Sequence, residues 1–341
     1  MHGVMDKQRI GYIDAMRGFT MILVVYSHVC SFCLGDSSIG YNNVFFLFRL
    51  PCFFFVSGWL FEQVAMRPFW QNVRKKFMVQ IVPTVVFLLL LAPPPLFFSR
   101  LGATKGGYWF TFALFEFFVL YMLSVRIGRK WSALVAVAVS LLAFCYDVYY
   151  NRYFKDLGLL TDALGFLGFM TWRYYLFFYV GTWVKSHFDA FVRFTDRYSV
   201  IVMTAVGFIA IAMIPHSSDV WLEYLVFSVG GILGLTLVFT SFRKLYPLLP
   251  SKSKVHFLEF VGTRTLDIYL LHYFFLPRWL MAYADHLRCY GSKPLELAVG
   301  LLLACVIVGV CLVVSYIIRL SPFLAHYLFG ANTSQGDRDP M

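Results

Sequence analysis

Three ionisable side chains stand in one apolar run, IDAMRGFTMILVVYSHVC at residues 13–30: Asp14, Arg17 and His28. A charged residue at the centre of a membrane helix costs about 2.5–3.5 kcal/mol on insertion scales, so three such groups in one span point to a use. An imidazole, with an unperturbed pKa of about 6.5, can take a proton from a hydroxyl near neutral pH. A carboxylate and a guanidinium spaced i, i+3 share a helix face and can pair. From Arg17 to His28 is eleven residues, which at about 100° each returns to within about 20° of the same face, about 16 Å along the axis. One face therefore carries an ion pair at one end and an imidazole at the other, a set that suits the lining of a cavity. The plainer alternative is an Asp14–Arg17 pair that anchors the helix end, with His28 hydrogen-bonded inside a bundle.

Other apolar runs carry polar groups too. FRLPCFFFVSGWLF holds Arg49, Pro51 and Ser57-Gly58. Proline frees a backbone carbonyl. The Ser-Gly pair suits close helix contact, and Ser57 could also donate to a substrate. Arg49 either serves a site or snorkels to headgroups. Glu116 and Arg173 fall in the middle of two further runs, where they could pair, and Glu223 stands near the end of another. In EFVGTRTLDIYLLHYFF, Arg264 and Asp267 share a face, while His272 is turned by about 140° from Asp267 and about 80° from Arg264. For these residues a functional and a structural reading both stand.

Elements that could place such groups are all helical. Hydrophobic residues make up 60% of the 341, charged residues 14%, and the mean hydropathy is +0.71. A soluble domain carries about 25% charged residues, so a water-soluble fold would lack surface to cover itself. Runs approaching the ~20 residues that cross a bilayer recur throughout, and the ~10-residue alternation of a β-barrel does not. The chain reads as an all-α polytopic membrane bundle of about ten transmembrane helices, near 11–32, 43–63, 77–98, 107–125, 131–150, 164–184, 198–214, 220–241, 257–280 and 295–318. The 93-PPP-95 run should end or break the third. The start, MHGVMDKQRI, has no cleavable signal, so the first span is expected to be kept. Residues 1–330 are expected to form a single transmembrane domain, and the polar 331–341 a disordered tail.

Eighteen of the 29 lysines and arginines fall in segments on the side of the N-terminus and six on the other, which predicts both termini in the cytoplasm. The net charge of +11 is then a membrane-orientation signature and no sign of nucleic acid. RPFWQNVRKKF offers a basic surface to anionic lipid or to a phosphate-bearing ligand. Cys30 and Cys33 have CxxC spacing at the end of an apolar helix, where they read as small hydrophobes; no zinc spacing and no metal site is expected.

Taken together and in order, RIGYIDAMRGFTMILVVYSH, FRLPCFFFVSGWLF, KKFMVQIVP, YWFTFALF, YYLFFYVG and VGTRTLDIYLLH resemble the acyltransferase-3 family of integral membrane O-acyltransferases over about residues 9–275. The resemblance implies a ten-helix bundle that takes an acyl group, usually acetyl, from cytoplasmic acyl-CoA as co-substrate, with no permanently bound cofactor. The acceptor it implies is a hydroxyl of a surface glycan or lipid-linked sugar at the outer side of, for this chain, a bacterial inner membrane. By motif position His28 would be the catalytic histidine, Arg17 its partner in Arg-x10-His, and Asp14 the preceding acid. Arg74, Lys75 and Lys76 would meet the CoA phosphates, although Phe77 stands where a second arginine, i+3 from Arg74, is expected. Arg49 replaces a frequent histidine, which suits an anionic acceptor. Arg49, Ser57, Glu116, Arg173 and His272 are the candidates for substrate contact, with loops 33–43, 147–163 and 284–294 as the acceptor face. His28 could act as a general base or carry the acyl group itself. The rival reading is a transporter or flippase, which paired broken helices in inverted repeats would favour; a structural scaffold is a third, and it leaves the charged first helix without a purpose.

Overall fold

The computed structural model describes residues 10–62, 65–91, 105–149, 164–215, 217–248 and 255–331. Among them there is helix and no strand. The proline run 93–95, the tail beyond Ala331 and most of loop 147–163 lie outside the described residues. Among the described residues six helices are long and apolar enough to cross a membrane: α1 (Gly11–Phe32), α2 (Asn42–Glu62), Trp109–Ile127, Arg129–Tyr149, Val220–Leu248 and Lys293–Arg319. A seventh span results if Phe188–Thr195 and Tyr198–Ala212, bent by 78° at their junction, count as one.

Three of the ten expected spans are interrupted. The third begins with α3 (Phe69–Lys76), runs through a π-helical turn at Phe77–Ile81, and continues as α4 (Val82–Leu91). The sixth is α-helical at 164–166, turns at Gly168 in the left-handed region (φ 78°), winds as a 3-10 segment over Phe169–Tyr174, and then resumes as an α-helix, Tyr175–Ser186. The ninth is in pieces: Val255–Thr263, Thr265–Leu271, and 3-10 turns at His272–Phe274 and Arg278–Tyr283. Arg264 leaves helical geometry at φ −107°, ψ 17°. Beside it the Thr263 hydroxyl donates to the Phe260 carbonyl at 2.8 Å, a local bond that competes with the helix. Pro277, which has no N–H to give, lies between the last two turns.

For clarity the remaining helices are named α5 (Trp109–Ile127), α6 (Arg129–Tyr149), α7 (Tyr175–Ser186), α8 (Phe188–Thr195), α9 (Tyr198–Ala212), α10 (Val220–Leu245), α11 (Val255–Thr263), α12 (Thr265–Leu271), α13 (Ala284–Cys289), α14 (Lys293–Arg319) and α15 (Pro322–Phe329). The chain divides into two compact units. One comprises Met1–Phe53, Arg193–Met213 and Gly230–Leu312; the other Phe54–Val192, Ile214–Val229 and Val313–Met341.

In the first unit α1 packs against α11 with no side chain between them. A Cβ on Gly18 would stand 2.0 Å from the Leu258 carbonyl oxygen, and one on Gly262 would stand 1.9 Å from that of Asp14. Small residues at such crossings let backbones approach where lipid offers no hydrophobic drive. Loop 33–41 is tied down as well. Gly40, at φ 61°, donates its N–H to Glu296 at 2.8 Å, and the Tyr26 hydroxyl donates to the Ile39 carbonyl at 3.2 Å. Asp196, at the bend between α8 and α9, pairs with Arg243 and with Lys244, the latter at 3.1 Å. Cys30 and Cys33 are buried free thiols, as their surroundings led one to expect.

The second unit repeats the device. Gly58 of α2 would bring a Cβ within 2.0 Å of the Phe178 carbonyl oxygen, and Gly181 of α7 within 2.0 Å of that of Phe55. Around this crossing lies an aromatic core in which Phe54 meets Phe110, Phe117 and Tyr174 at ring separations of 4.8–5.2 Å. At the end of α2 the buried Glu62 accepts from the Tyr121 hydroxyl, from Arg129 and, at 2.9 Å, from Ser186, which binds α2, α5, α6 and α7 through one carboxylate.

The crossing of α1 with α11 should be the least tolerant point of the first unit. Gly262→Val is expected to lower stability by more than about 2 kcal/mol, since overpacking alone costs ~1–3 kcal/mol and here the obstacle is backbone. Gly309→Ala on α14, where a Cβ meets nothing within 4 Å, should leave the melting temperature unchanged or raised. Thermal unfolding of the two variants in detergent checks the contrast.

Candidate active site

The polar face of α1 meets the broken run α11–α12 at both its ends. At the first, Arg17 Nη1 lies 3.5 Å from Asp14, the i, i+3 pair expected from the spacing. Arg17 Nη2 also donates to the Thr265 hydroxyl at 2.9 Å. Thr265 is buried at the start of α12, immediately after the break at Arg264. The helix break thus presents a hydroxyl to a guanidinium that a continuous helix would have turned elsewhere.

At the other end, His28 meets His272. His28 Nδ1 is 2.7 Å from His272 Nε2. The two rings lie within 6° of parallel, with centres 4.9 Å apart. That separation is the nitrogen–nitrogen distance plus one ring radius on either side, so the nitrogens aim at each other along the line of centres. This is a hydrogen bond edge to edge and not a stack. His272 is 0% exposed, whereas His28 is only partly covered. On the far edge of His28, Nε2 lies 3.4 Å from the Tyr273 hydroxyl. On the far edge of His272, Nδ1 lies 3.1 Å from the Ile268 carbonyl oxygen. Phe32 packs against both His28 and Tyr273, and the Arg278 guanidinium stands 5.6 Å over the Phe32 ring.

Arg49, in the same unit, does not snorkel. It is 8% exposed, donates to Asn42 Oδ1 at 2.7 Å and touches the Asn42 carbonyl at 3.5 Å, with the Phe46 ring 5.4 Å away. Asn42 in turn donates to the Ser37 carbonyl at 2.5 Å, which fixes the start of α2. Asp267 is buried on α12.

The other candidates belong to the second unit. Glu116 and Arg173 take separate partners rather than each other: Trp172 Nε1 donates to Glu116 at 3.3 Å, and Arg173 lies 3.7 Å from Asp147 and 4.8 Å over the Phe227 ring. Ser57 is partly covered on α2, next to the Gly58 crossing. Along RKK at the end of α3, Arg74 and Lys75 are exposed, while Lys76 turns its ammonium onto the Phe118 ring at 4.0 Å. The three are therefore not equivalent: two face outward, free to meet phosphate, and one is held by a cation–π contact. No group of three metal-ligating side chains occurs among the described residues.

Sequence reasoning missed the mutual contact of His28 and His272, which stand 244 residues apart, and with it Tyr273 and Thr265. The only available signal was that His28 and His272 are the two histidines lying well inside apolar runs. It also passed over Glu62, an acid closing an apolar helix, which the structure shows to be a tie point.

Comparison with known proteins identifies a family. The family described as an acyltransferase domain, acyltransferase-3, matches residues 10–320. That range contains Asp14, Arg17, His28 and His272. No curated protein and no solved structure gives a significant match.

The contact of Arg17 with Thr265 can be weighed directly. Thr265→Val removes an acceptor of the guanidinium and should destabilise by about 1.5–3 kcal/mol, the range for hydrogen bonds to charged groups. Thr265→Ser keeps the hydroxyl and should stay within about 0.5 kcal/mol of the native protein. Unfolding midpoints of both variants in one detergent test this.

Proposed function

The chain belongs to the acyltransferase-3 family of membrane acyltransferases, and from that premise we propose that it moves an acyl group, acetyl in the simplest case, from cytoplasmic acyl-CoA to a hydroxyl of a surface glycan or lipid-linked sugar. Both termini lie in the cytoplasm of a bacterial inner membrane in this reading. The observation that carries it is the His28 imidazole, held by the His272 imidazole and standing on the helix α1 whose other end bears Asp14 and Arg17.

An alcohol is a poor nucleophile near neutral pH. In direct transfer, its oxygen attacks the thioester carbonyl as its proton passes to His28; the C–O bond forms, the C–S bond breaks, and the proton goes on to the departing thiolate. In the covalent variant, the His28 nitrogen attacks first and the thiolate leaves; the acceptor oxygen then forms the C–O bond as the acyl C–N bond breaks, and the hydroxyl proton passes to the thiolate. Both need the imidazole neutral and one of its nitrogens bare. In this reading the pantetheine arm passes the Asp14–Arg17 pair from the cytoplasmic side, and Arg17 can donate to its amides. Arg74, Lys75 and Lys76 are the phosphate contacts, with the exposed Arg74 and Lys75 the stronger pair. Arg49, Ser57, Glu116 and Arg173 are the acceptor contacts. Arg49 suits an anionic sugar, because the guanidinium geometry matches a carboxylate or phosphate.

The test is transfer of labelled acetyl from acetyl-CoA in membranes that hold the native chain or His28→Ala, with lipid-linked and polysaccharide products resolved. Native membranes should label one product class. His28→Ala should insert normally and label at least about 100-fold less, the lower range of what a positioned acid–base group contributes. Equal labelling by the variant would remove His28 from the chemistry.

A further inference from the structure

We infer that His272 is a positioning residue that fixes the tautomer of His28, leaving His28 Nε2 as the bare nitrogen that reacts; this rests on His28 being the reacting histidine. The deduction starts from the one partner in the chain of contacts that cannot change its role. The Ile268 carbonyl is only an acceptor. It takes the backbone N–H of His272 on one lone pair and lies 3.1 Å from His272 Nδ1 on the other. His272 Nδ1 must therefore carry a hydrogen. A neutral imidazole has one N–H, so His272 Nε2 is bare and can only accept.

His272 Nε2 lies 2.7 Å from His28 Nδ1, and two bare nitrogens would repel at that distance. His28 Nδ1 therefore carries the hydrogen of that bond. A neutral His28 is then bare at Nε2, on the edge turned away from His272. The Tyr273 hydroxyl, 3.4 Å from Nε2, is the donor on that edge, and its length marks a weak bond that an acceptor hydroxyl can replace. The relay runs in one direction, from His28 through His272 to the backbone, and it orients the base as a carboxylate does in a hydrolase triad. The same bare Nε2 is required whether it takes a proton or an acyl group, so the assignment holds for both variants of the mechanism.

Local structure explains why His272 can do this. Its neighbours Ile268, Leu270 and Leu271 are buried, and α12 ends at Leu271, so the ring folds back over its own last turn onto a carbonyl it could not otherwise share. With no exposed surface, His272 has no solvent to offer a competing hydrogen bond. Sequence reading placed it among residues that touch substrate; its burial and its hydrogen bond assign it to His28 instead.

The experiment compares His272→Phe with His272→Gln. Phenylalanine fills the space and offers no acceptor, whereas the glutamine side-chain oxygen can take the His28 Nδ1–H. His272→Phe should lower kcat for acetyl transfer by at least about 100-fold with the KM for acetyl-CoA within about 3-fold, because a misoriented base is lost from the transition state and not from donor binding. His272→Gln should keep kcat within about 10-fold of native. Native activity in His272→Phe, or equal losses in both, overturns the assignment. Should His272→Phe fail to fold, 15N-histidine NMR of the native protein decides, with the His28 signal identified by its disappearance in His28→Ala. A hydrogen on Nδ1 and a bare Nε2 are expected; the opposite tautomer refutes the inference. An active His28→Ala would instead mean that the proposed function itself had failed, while an inactive His28→Ala beside an active His272→Phe would fail the positioning role alone.

Discussion

The close approach of α1 and α11 governs what the first unit can do with its polar groups. With Gly18 and Gly262 at the crossing, backbone meets backbone, and the residues on either side are brought within hydrogen-bonding reach. Arg17, one residue from Gly18, reaches Thr265, three residues past Gly262. Farther along α1, His28 reaches His272, beyond a second change in winding. If a side chain stood at the crossing, the two helices would separate by the width of a methyl group or more. A 2.7 Å contact between imidazoles does not survive such a displacement, because hydrogen bonds weaken within tenths of an ångström.

An apolar surround makes these contacts obligatory. A polar group in hydrocarbon has no water to fall back on, so each must find a partner within the protein. Arg49 is held by Asn42 and Glu62 by Tyr121, Arg129 and Ser186. The broken ninth span serves the same end. Interrupted helix is tolerated at membrane depth only where protein or a cavity satisfies the freed backbone groups. Here the break at Arg264 brings Thr265 to Arg17, and the end of α12 offers the Ile268 carbonyl to His272.

The long helices were legible because a run of some twenty apolar residues has few alternatives. Expected bounds of 11–32 and 43–63 became Gly11–Phe32 and Asn42–Glu62. The sixth and ninth spans were read as continuous because hydropathy averages over the very residues that break them, Gly168 in one and Thr263-Arg264-Thr265 in the other. At the site, the Asp14–Arg17 pair was legible because its spacing is local. The partners of His28, Glu116 and Arg173 were not, because contacts across tens or hundreds of residues depend on which helices are neighbours. Angular arithmetic on a straight ninth helix set His272 about 80° from Arg264. The break makes that arithmetic void, and His272 is found against His28.

A membrane site also restricts which group can orient a base. In water-exposed hydrolases a carboxylate holds the imidazole, but an isolated charge buried in an apolar interior is costly unless it is paired and hydrogen-bonded. A second imidazole accepts the same N–H while neutral. The pair His28–His272 can then sit beside Phe32 and Tyr273 with no net charge at rest, gaining one only when His28 takes a proton. A neutral partner stabilises an imidazolium less than a carboxylate would, so in the proposed direct transfer the proton returns readily from His28 to the leaving group. The chain's carboxylate on this face, Asp14, is already matched by Arg17 about 16 Å from His28, the rise of eleven helical residues. The ion pair of α1 thus lies at one end, and tautomer control at the end where chemistry is proposed to occur, with the Arg278 guanidinium over the Phe32 ring beside it.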